Sequence, residues 1–294
     1  MPSIALLTAG NLMSDAPDRR SDAHLFDIQL DALRQGFAGE GFELRPARWS
    51  DPDTDWRTFA GVLIACAWDY QDRHEAFVSA LERIRALGTP VFNEPDTVRW
   101  NIRKTYLREL QQKGVAVIPT LWPDAPAGED IGHAMDAFGV EEVVLKRQVG
   151  GGARGQARYN RSALPAPGPV LDRPGMIQPF VPAILSEGEY SFLFVDGVFS
   201  HALIKRPRAG DYRIQEAYGG VCKGVDPAPA DRAAAEAVLD AAGKRPLYAR
   251  VDMVRAAGGG LMLMELEVIE PYLYPLQGPG IGPVLARALA RRLA

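Results

Sequence analysis

Between Ser3 and Pro95 the sequence alternates short apolar runs with stretches of helical periodicity. No other feature restricts the fold as much. SIALLTA (3–9) and GVLIACA (61–67) have the length of buried strands, FELRPARW (42–49) reads as a third, and PVFNEP (90–95) gives a short fourth. AHLFDIQLDALRQGFAGEG (23–41) and HEAFVSALERIRALG (74–88) have helical apolar spacing and stop on glycine. Strand and helix in alternation predict a parallel, doubly wound α/β sheet. In such sheets ligands sit beyond the carboxyl ends of the strands, here residues 8–20, Ala67-Trp68-Asp69-Tyr70 and Asn93-Glu94.

The pattern then changes. A helix over 97–114 leads into VAVIPT (115–120), a second helix covers 129–138, and EEVVLKRQ (141–148) is a strand that runs into glycines. Residues 161–175 are rich in Pro and Ala and read as a loop. From MIQPFV (176–181) onward the chain turns antiparallel. EYSFLFVDGVFSHALIKR (189–206) is a hairpin with Asp196-Gly197 at its turn. A helix over 230–243 separates it from two more strands joined by AGGG (257–260), and VLARALARRLA is a terminal helix. With 294 residues the chain exceeds one ordinary core, so two or three packed lobes are expected. The divisions fall at 1–96, 97–175 and 176–294.

Composition removes several functions. A net charge of -4 offers no case for nucleic acid. No apolar stretch approaches the roughly 20 residues of a membrane span, and the opening MPSIALLTAG lacks the charged start of a signal peptide. Cys66 and Cys222 lie far apart without metal-ligand spacing and read as free thiols in a reducing cytoplasm. His24, His74, His133 and His201 show no ligand spacing either, and no nucleophile has a matched base.

The chemistry is carried by charged residues inside apolar runs. Asp252 lies within LYARVDMV, and Glu265 and Glu267 within LMLMELEVI. Strand alternation points all three away from the neighbouring Val and Leu side chains. A buried carboxylate needs a counter-charge. Either a metal ion supplies it, or Arg250 and Lys205 do so across the sheet. Lys146, in VVLK, is a strand lysine among valines and needs an anion. The glycines that follow in VVLKRQVGGGARG let backbone N–H groups approach phosphate oxygens, although no Walker pattern is present.

The order of these features resembles the ATP-grasp superfamily, the fold of glutathione synthetase and D-alanine:D-alanine ligase. A helix carries Lys104, and a strand with Lys146 runs into the Gly loop. Then come Gln178-Pro179-Phe180-Val181, Gly188-Glu189, Arg213 ahead of Gly219-Gly220, Arg250-x-Asp252, and Glu265-x-Glu267. The resemblance covers about 97–294 and implies a two-lobed ATP-grasp fold behind the α/β lobe. It implies that Lys104 and Lys146 contact ATP phosphates and that Gly150, Gly151 and Gly152 close over them. Gln178, Phe180 and Val181 would read the adenine edge, and Glu189, with Glu187 as second candidate, the ribose. Asp252, Glu265 and Glu267 would hold two Mg²⁺, with Mn²⁺ as an alternative, and Glu267 stands where the superfamily has Asn. Arg213 and Arg250 would face the reacting phosphate.

ARWSDPDTDW (47–56), CAWDYQDR (66–73), EPDTVRWNIRKTYL (94–107), FVDGVFSHALIKR (194–206) and MELEVIEPYLY (264–274) resemble, more narrowly, the group of D-cycloserine-forming cyclo-ligases. That implies ATP-dependent C–N bond formation through an acyl phosphate, with ring closure of O-ureidoserine as the model reaction. The partner would be a small amino-acid-like substrate, contacted by Trp68, Asp69, Tyr70, Arg206, Tyr218 and Gly220. The superfamily also suggests a homodimer. Two other readings stay open: an intermolecular carboxylate–amine ligase, and a nucleotide-binding protein without turnover.

Overall fold

The computed structural model describes residues 1–294, apart from the side chain of Ala217. Strands β1 (Ser3–Thr8), β2 (Glu43–Arg48), β3 (Gly61–Cys66) and β4 (Val91–Phe92) form a parallel sheet in the order β2-β1-β3-β4. Every residue of β3 is buried, as expected for a parallel strand covered on both faces. Alternate residues of β1 serve two cores. Ile4 and Leu6 join Leu30, Leu33 and Phe37 of α1 (Ala23–Gly39), whereas Ala5 and Leu7 join Phe77, Leu81 and Ile84 of α2 (His74–Ala86).

The helix expected over 97–114 is two, α3 (Pro95–Asn101) and α4 (Tyr106–Gln112). Tertiary hydrogen bonds take the connecting turn out of the helix. The Lys104 amide donates to Gln148 O at 2.9 Å, and Asn101 Nδ2 donates to Leu266 O at 2.8 Å. VAVIPT is not a strand; it makes only an isolated bridge from Val117 to Leu263.

A second, antiparallel sheet follows helix α5 (Gly128–Phe138). It contains β5 (Glu142–Arg147), β6 (Ala157–Asn160) and β7 (Gly175–Pro179) in the order β6-β5-β7. The third sheet comes after the short α6 (Ala183–Ser186) and runs β10-β9-β8-β11-β12. Its strands are β8 (Glu189–Val195), β9 (Val198–Arg206), β10 (Val221–Val225), β11 (Tyr248–Arg255) and β12 (Leu261–Glu267), with α7 (Pro229–Ala242) inserted before β11. Asp196 and Gly197 both have positive φ, the conformation a two-residue hairpin needs.

Two features tie this sheet to the first. Helix α8 (Ile281–Leu293) returns to pack on α1, and Ile281, Leu285 and Leu289 enter the α1 core. A Cβ on Gly36 or Gly282 would run into the other helix's backbone, so this crossing depends on glycine. At the end of β4, buried Asn93 donates through Nδ2 to Tyr248 O at 2.9 Å and to Val268 O at 2.7 Å. The start of β11 and the exit of β12 are thereby fixed against the parallel sheet.

Candidate active site

Antiparallel pairing sets the site. Asp252 of β11 stands opposite Glu265 of β12, and Arg250 opposite Glu267. On the same register Asp252 pairs with Ser191 of β8, and Glu189 with Lys205 of β9. Directly opposed residues share a face, so these side chains form one polar floor. The other face carries Phe192, Val251, Met253 and Leu266 into a core. Above the floor lies a cleft of about 590 Å³, whose second wall is formed by Val144, Lys146 and Met176 of the three-stranded sheet and by the glycine loop.

Every acid of the two floor strands has a cation. Arg250 grips Asp252 at 2.9 Å through Nη2 and also contacts Glu267. Lys205, itself buried, bridges Glu189 and Asp252, the latter at 3.2 Å. Lys104 Nζ lies 2.7 Å from Glu265 and donates to Gly150 O at 2.6 Å. Lys146 differs: among the described residues no carboxylate lies within ion-pair distance of it. Burial pulls its ammonium below the usual lysine value, only partly offset by Glu265 and Glu189. An ammonium so placed is a site for an anion.

The carboxylates are in excess. Burial pushes Glu267 up to about 8, opposed by the Arg250 charge and reinforced by Glu265 and Asp252. Burial likewise carries Glu189 up to about 7 despite Lys205. Asp252 goes the other way: against burial, the charges of Arg250 and Lys205 hold it down at about 2. Among the described residues no three His, Cys, Asp or Glu side chains by themselves form a metal cage. An all-oxygen donor set with surplus charge and no closed cage suits Mg²⁺, which takes one or two carboxylates and completes its shell with phosphates and water.

The loop after β5 bears consecutive positive φ angles at Gly152 and Ala153, the concave backbone that collects N–H groups around an anion. It is anchored to the parallel sheet's edge: Arg147 (3.3 Å), Arg154 (2.8 Å) and Arg173 (2.8 Å) converge on Asp72. At the far end, Gln178 is buried and donates to Thr120 Oγ1 at 3.0 Å, and among the described residues its Oε1 has no partner. Phe180 packs with Val144, Ile184 and Ile214, and the Arg158 guanidinium lies 3.6 Å from its ring centroid.

Most of the residues singled out in the sequence come together. Lys104, Lys146, Gly150, Gly151, Gly152, Gln178, Phe180, Val181 and Glu189 line the cleft. So do Arg213, Tyr218, Arg250, Asp252, Glu265, Glu267 and Trp68. Arg213 is paired with Asp211 at 2.7 Å and covers the Tyr218 ring at 3.8 Å. Glu187, Asp69, Tyr70, Arg206 and Gly220 are not among the lining residues. Glu187 pairs with Arg255 at 3.1 Å, because Gly188 with φ of 107° turns the chain between it and Glu189. Asp69 accepts from Trp49 Nε1 at 2.6 Å and pairs with Arg73. Tyr70 is buried, with its ring stacked 4.9 Å from that of Phe77. Arg206 is exposed at the end of β9. Gly220 acts from outside: a Cβ there would strike the Ile214 carbonyl and push out the 212–220 turn.

Gln71, Glu270, Tyr272, Tyr274 and Arg20 also line the cleft. Sequence reasoning gave none of them an individual role, although Arg20 closes the 8–20 segment placed at the ligand edge of the parallel sheet. The available signal was Glu270-Pro271-Tyr272-x-Tyr274, an acid followed by aromatics three residues past Glu267.

Two antiparallel sheets closing on one cleft, with lysines and a glycine loop opposite an acid-lined floor, define an ATP-grasp enzyme of the ligase class. Residues 4–93 match the family model described as the N-terminal domain of D-cycloserine synthetase DcsG. The cycloserine biosynthesis protein DcsG of Streptomyces lavendulae is 31% identical over 284 residues, which is 91% of this chain and 94% of that protein. The crystal structure of D-cycloserine synthetase DcsG superposes with a TM-score of 0.83 at 26% identity, over 99% of this chain and 100% of that one. The ATP-grasp ligase PsnB, solved with a phosphomimetic variant of its minimal precursor, Mg and ADP, shares the fold at a TM-score of 0.65 and 15% identity, over 100% of this chain and 99% of its own. The chain belongs to the DcsG family of ATP-grasp ligases. No described helix is long and apolar enough to cross a membrane.

Proposed function

We propose that this chain closes a ring within one amino-acid derivative at the expense of ATP, with O-ureidoserine as substrate and cycloserine as product. The observation that carries this is the opposition of charges across the cleft. Lys146, with no carboxylate partner, and the Gly150–Gly152 backbone face the surplus carboxylates of β12. A magnesium triphosphate matches both walls, its phosphates to the first and its metal to the second.

On this reading ATP lies between the 97–175 and 176–294 portions, with adenine against Phe180 and its edge at Gln178 and the Val181 backbone. Glu189 takes the ribose hydroxyls. Glu265 and Glu267, and Asp252 once it releases a cation, would hold two Mg²⁺ or Mn²⁺ ions. When bound, these offset the negative charge that develops on the phosphoryl oxygens. Lys104 and Lys146 orient the phosphates. Arg250 and Arg213 neutralise the substrate carboxylate as its oxygen takes the γ-phosphoryl group and ADP departs. The substrate nitrogen bonded to the side-chain oxygen then attacks the acyl carbon, loses its proton and expels phosphate. Water removes the carbamoyl group from that ring nitrogen as carbamic acid, which breaks down to CO2 and NH3 and leaves cycloserine. Positioning and charge neutralisation supply the rate, and the glycine loop, held by Asp72, excludes water from the acyl phosphate.

Mg²⁺-dependent ADP release with O-ureidoserine as the only organic substrate tests the reading. Release that needs a second, amine-bearing compound would mean an intermolecular ligase instead. No release with any amino acid or ureido-amino acid would refute ligase turnover by this chain.

A further inference from the structure

Resting on that reading, we propose that Glu270 forms the subsite for the substrate's amino group, a primary ammonium held between this carboxylate and the wall made by Trp68 and Tyr272. The position follows from the fold. Glu270 lies three residues beyond Glu267, where the chain leaves β12 and meets the carboxyl edge of the parallel sheet. Its backbone oxygen accepts from Trp68 Nε1 at 2.9 Å, which fixes the aromatic wall beside it. Trp68 and Tyr272 pack edge to face with centroids 6.3 Å apart. The glycine loop roofs this end: a Cβ on Gly151 would stand 3.3 Å from Gln71 Nε2 and 3.8 Å from Glu270 Oε1.

The charge environment separates Glu270 from the acids of the strand floor. Asp252, Glu265 and Glu267 each have a lysine or arginine partner. Among the described residues none lies within ion-pair distance of Glu270. Its donors are neutral, the Gln71 amide at 3.0 Å and the Tyr70 hydroxyl. Gln71 and Tyr70 orient the carboxylate without cancelling its charge; burial pushes it up to about 7, and the Lys104 ammonium, beyond ion-pair distance and already paired with Glu265, opposes this only in part. A carboxylate that faces a ligand cleft, is aimed by neutral donors and lacks a counter-ion is complementary to a ligand cation. An amino acid whose carboxylate reacts beside Glu265 and Glu267 carries such a cation one carbon away. Tyr70, which does not line the cleft, is thereby given a positioning role.

Calorimetric titration of wild type and Glu270→Gln with O-ureidoserine and with its desamino analogue, both in the presence of Mg-ADP, tests the assignment. Wild type should prefer the amino compound, and Glu270→Gln should lose roughly 10- to 100-fold in affinity for it. The desamino analogue should bind both proteins equally, and Glu270→Asp should recover part of the loss. Equal weakening of both ligands, or no weakening, overturns the assignment. So does a wild type that binds the two compounds alike. Selective loss of amine-dependent binding without any ADP release from wild type would uphold the subsite and refute the ligase reading.

Discussion

Glu267 should make magnesium–nucleotide binding depend on pH above neutrality. Arg250 gives Asp252 a two-pronged contact, Nε at 3.0 Å and Nη2 at 2.9 Å, so Glu267 shares a cation already committed to another acid. Burial, only partly opposed by Arg250, therefore carries the Glu267 carboxyl up to about 8. A metal ligand must be ionised to bind. At pH 6.5 a group titrating near 8 is ionised in roughly one molecule in thirty, so Mg-ADP should bind roughly 30-fold more weakly than at the alkaline limit, a difference of about 2 kcal/mol. The nucleotide's terminal phosphate also titrates, at about pH 6, so Glu267→Gln is the reference. Calorimetry from pH 6.5 to 9 should show wild-type affinity climbing through pH 8 while the variant, which keeps Glu189 near 7, rises less and levels off above pH 8. Identical slopes in the two proteins between pH 7 and 9 would refute the assignment of Glu267 as a ligand and the charge argument behind it.

Three further outcomes follow from the same geometry. Lys205→Met strands Glu189 in a buried site and leaves Asp252 with Arg250 alone as counter-ion, at a cost of roughly 3–5 kcal/mol. By thermal unfolding it should lower Tm by roughly 6–20 °C, with part regained on adding Glu189→Gln; a fall under about 3 °C contradicts this. Gly282→Ala drives a Cβ into the Ala32 carbonyl at the α1–α8 crossing; it should cost roughly 1–3 kcal/mol in a denaturant titration and leave the KM for ATP unchanged. Glu270, near 7 when folded against an ordinary 4.5, holds a proton that the unfolded chain has released. Its contribution to stability is therefore present below pH 4.5 and lost as pH rises through 7. Without ligand, the protein should melt lower at pH 8.5 than at pH 5.5, and Glu270→Gln should reduce that difference by up to a few kcal/mol.

The parts of the fold legible in the sequence are those where local pattern and tertiary environment agree. GVLIACA is apolar throughout because β3 is buried on both faces, and Asp196-Gly197 marks its hairpin because few other residues accept positive φ at both positions. The break at 102–105 was hidden for the opposite reason. Helical periodicity runs straight through it, and only partners more than forty residues away end the helix: Gln148 draws the Lys104 amide out of it, and Leu266 holds the side chain of Asn101, the last residue of α3. The return of α8 to the first lobe was hidden likewise, since an amphipathic helix does not name the surface it covers. In the site, motif order located the acids and lysines because strand alternation fixes their face. It did not separate Glu187 from Glu189, which share parity and differ only by the turn at Gly188. Nor did it find Glu270, which lies past the end of β12 where alternation no longer applies.

Asp252 joins the two explanations that its sequence context left open. It accepts from Lys205, from Arg250 through two nitrogens, and from Ser191, so its lone pairs are largely committed to protein donors. Ion pairing across the sheet is therefore real. It does not oppose a metal site, because the cations that satisfy Asp252 have other uses: Arg250 also reaches Glu267 and the Tyr272 carbonyl, and Lys205 also reaches Glu189. A magnesium triphosphate brings positive charge to the acids and negative charge to the bases, so each partner of every existing pair gains a replacement at once. Few single ions have that property: magnesium alone would leave Arg250 and Lys205 competing for the acids, and phosphate alone would strand the carboxylates. The paired floor therefore predicts ordered affinity, with weak binding of either component by itself and tight binding of the complex. Titrating Mg²⁺ and ADP separately and then together decides it, and strictly additive binding energies would show that the ion pairs are not exchanged.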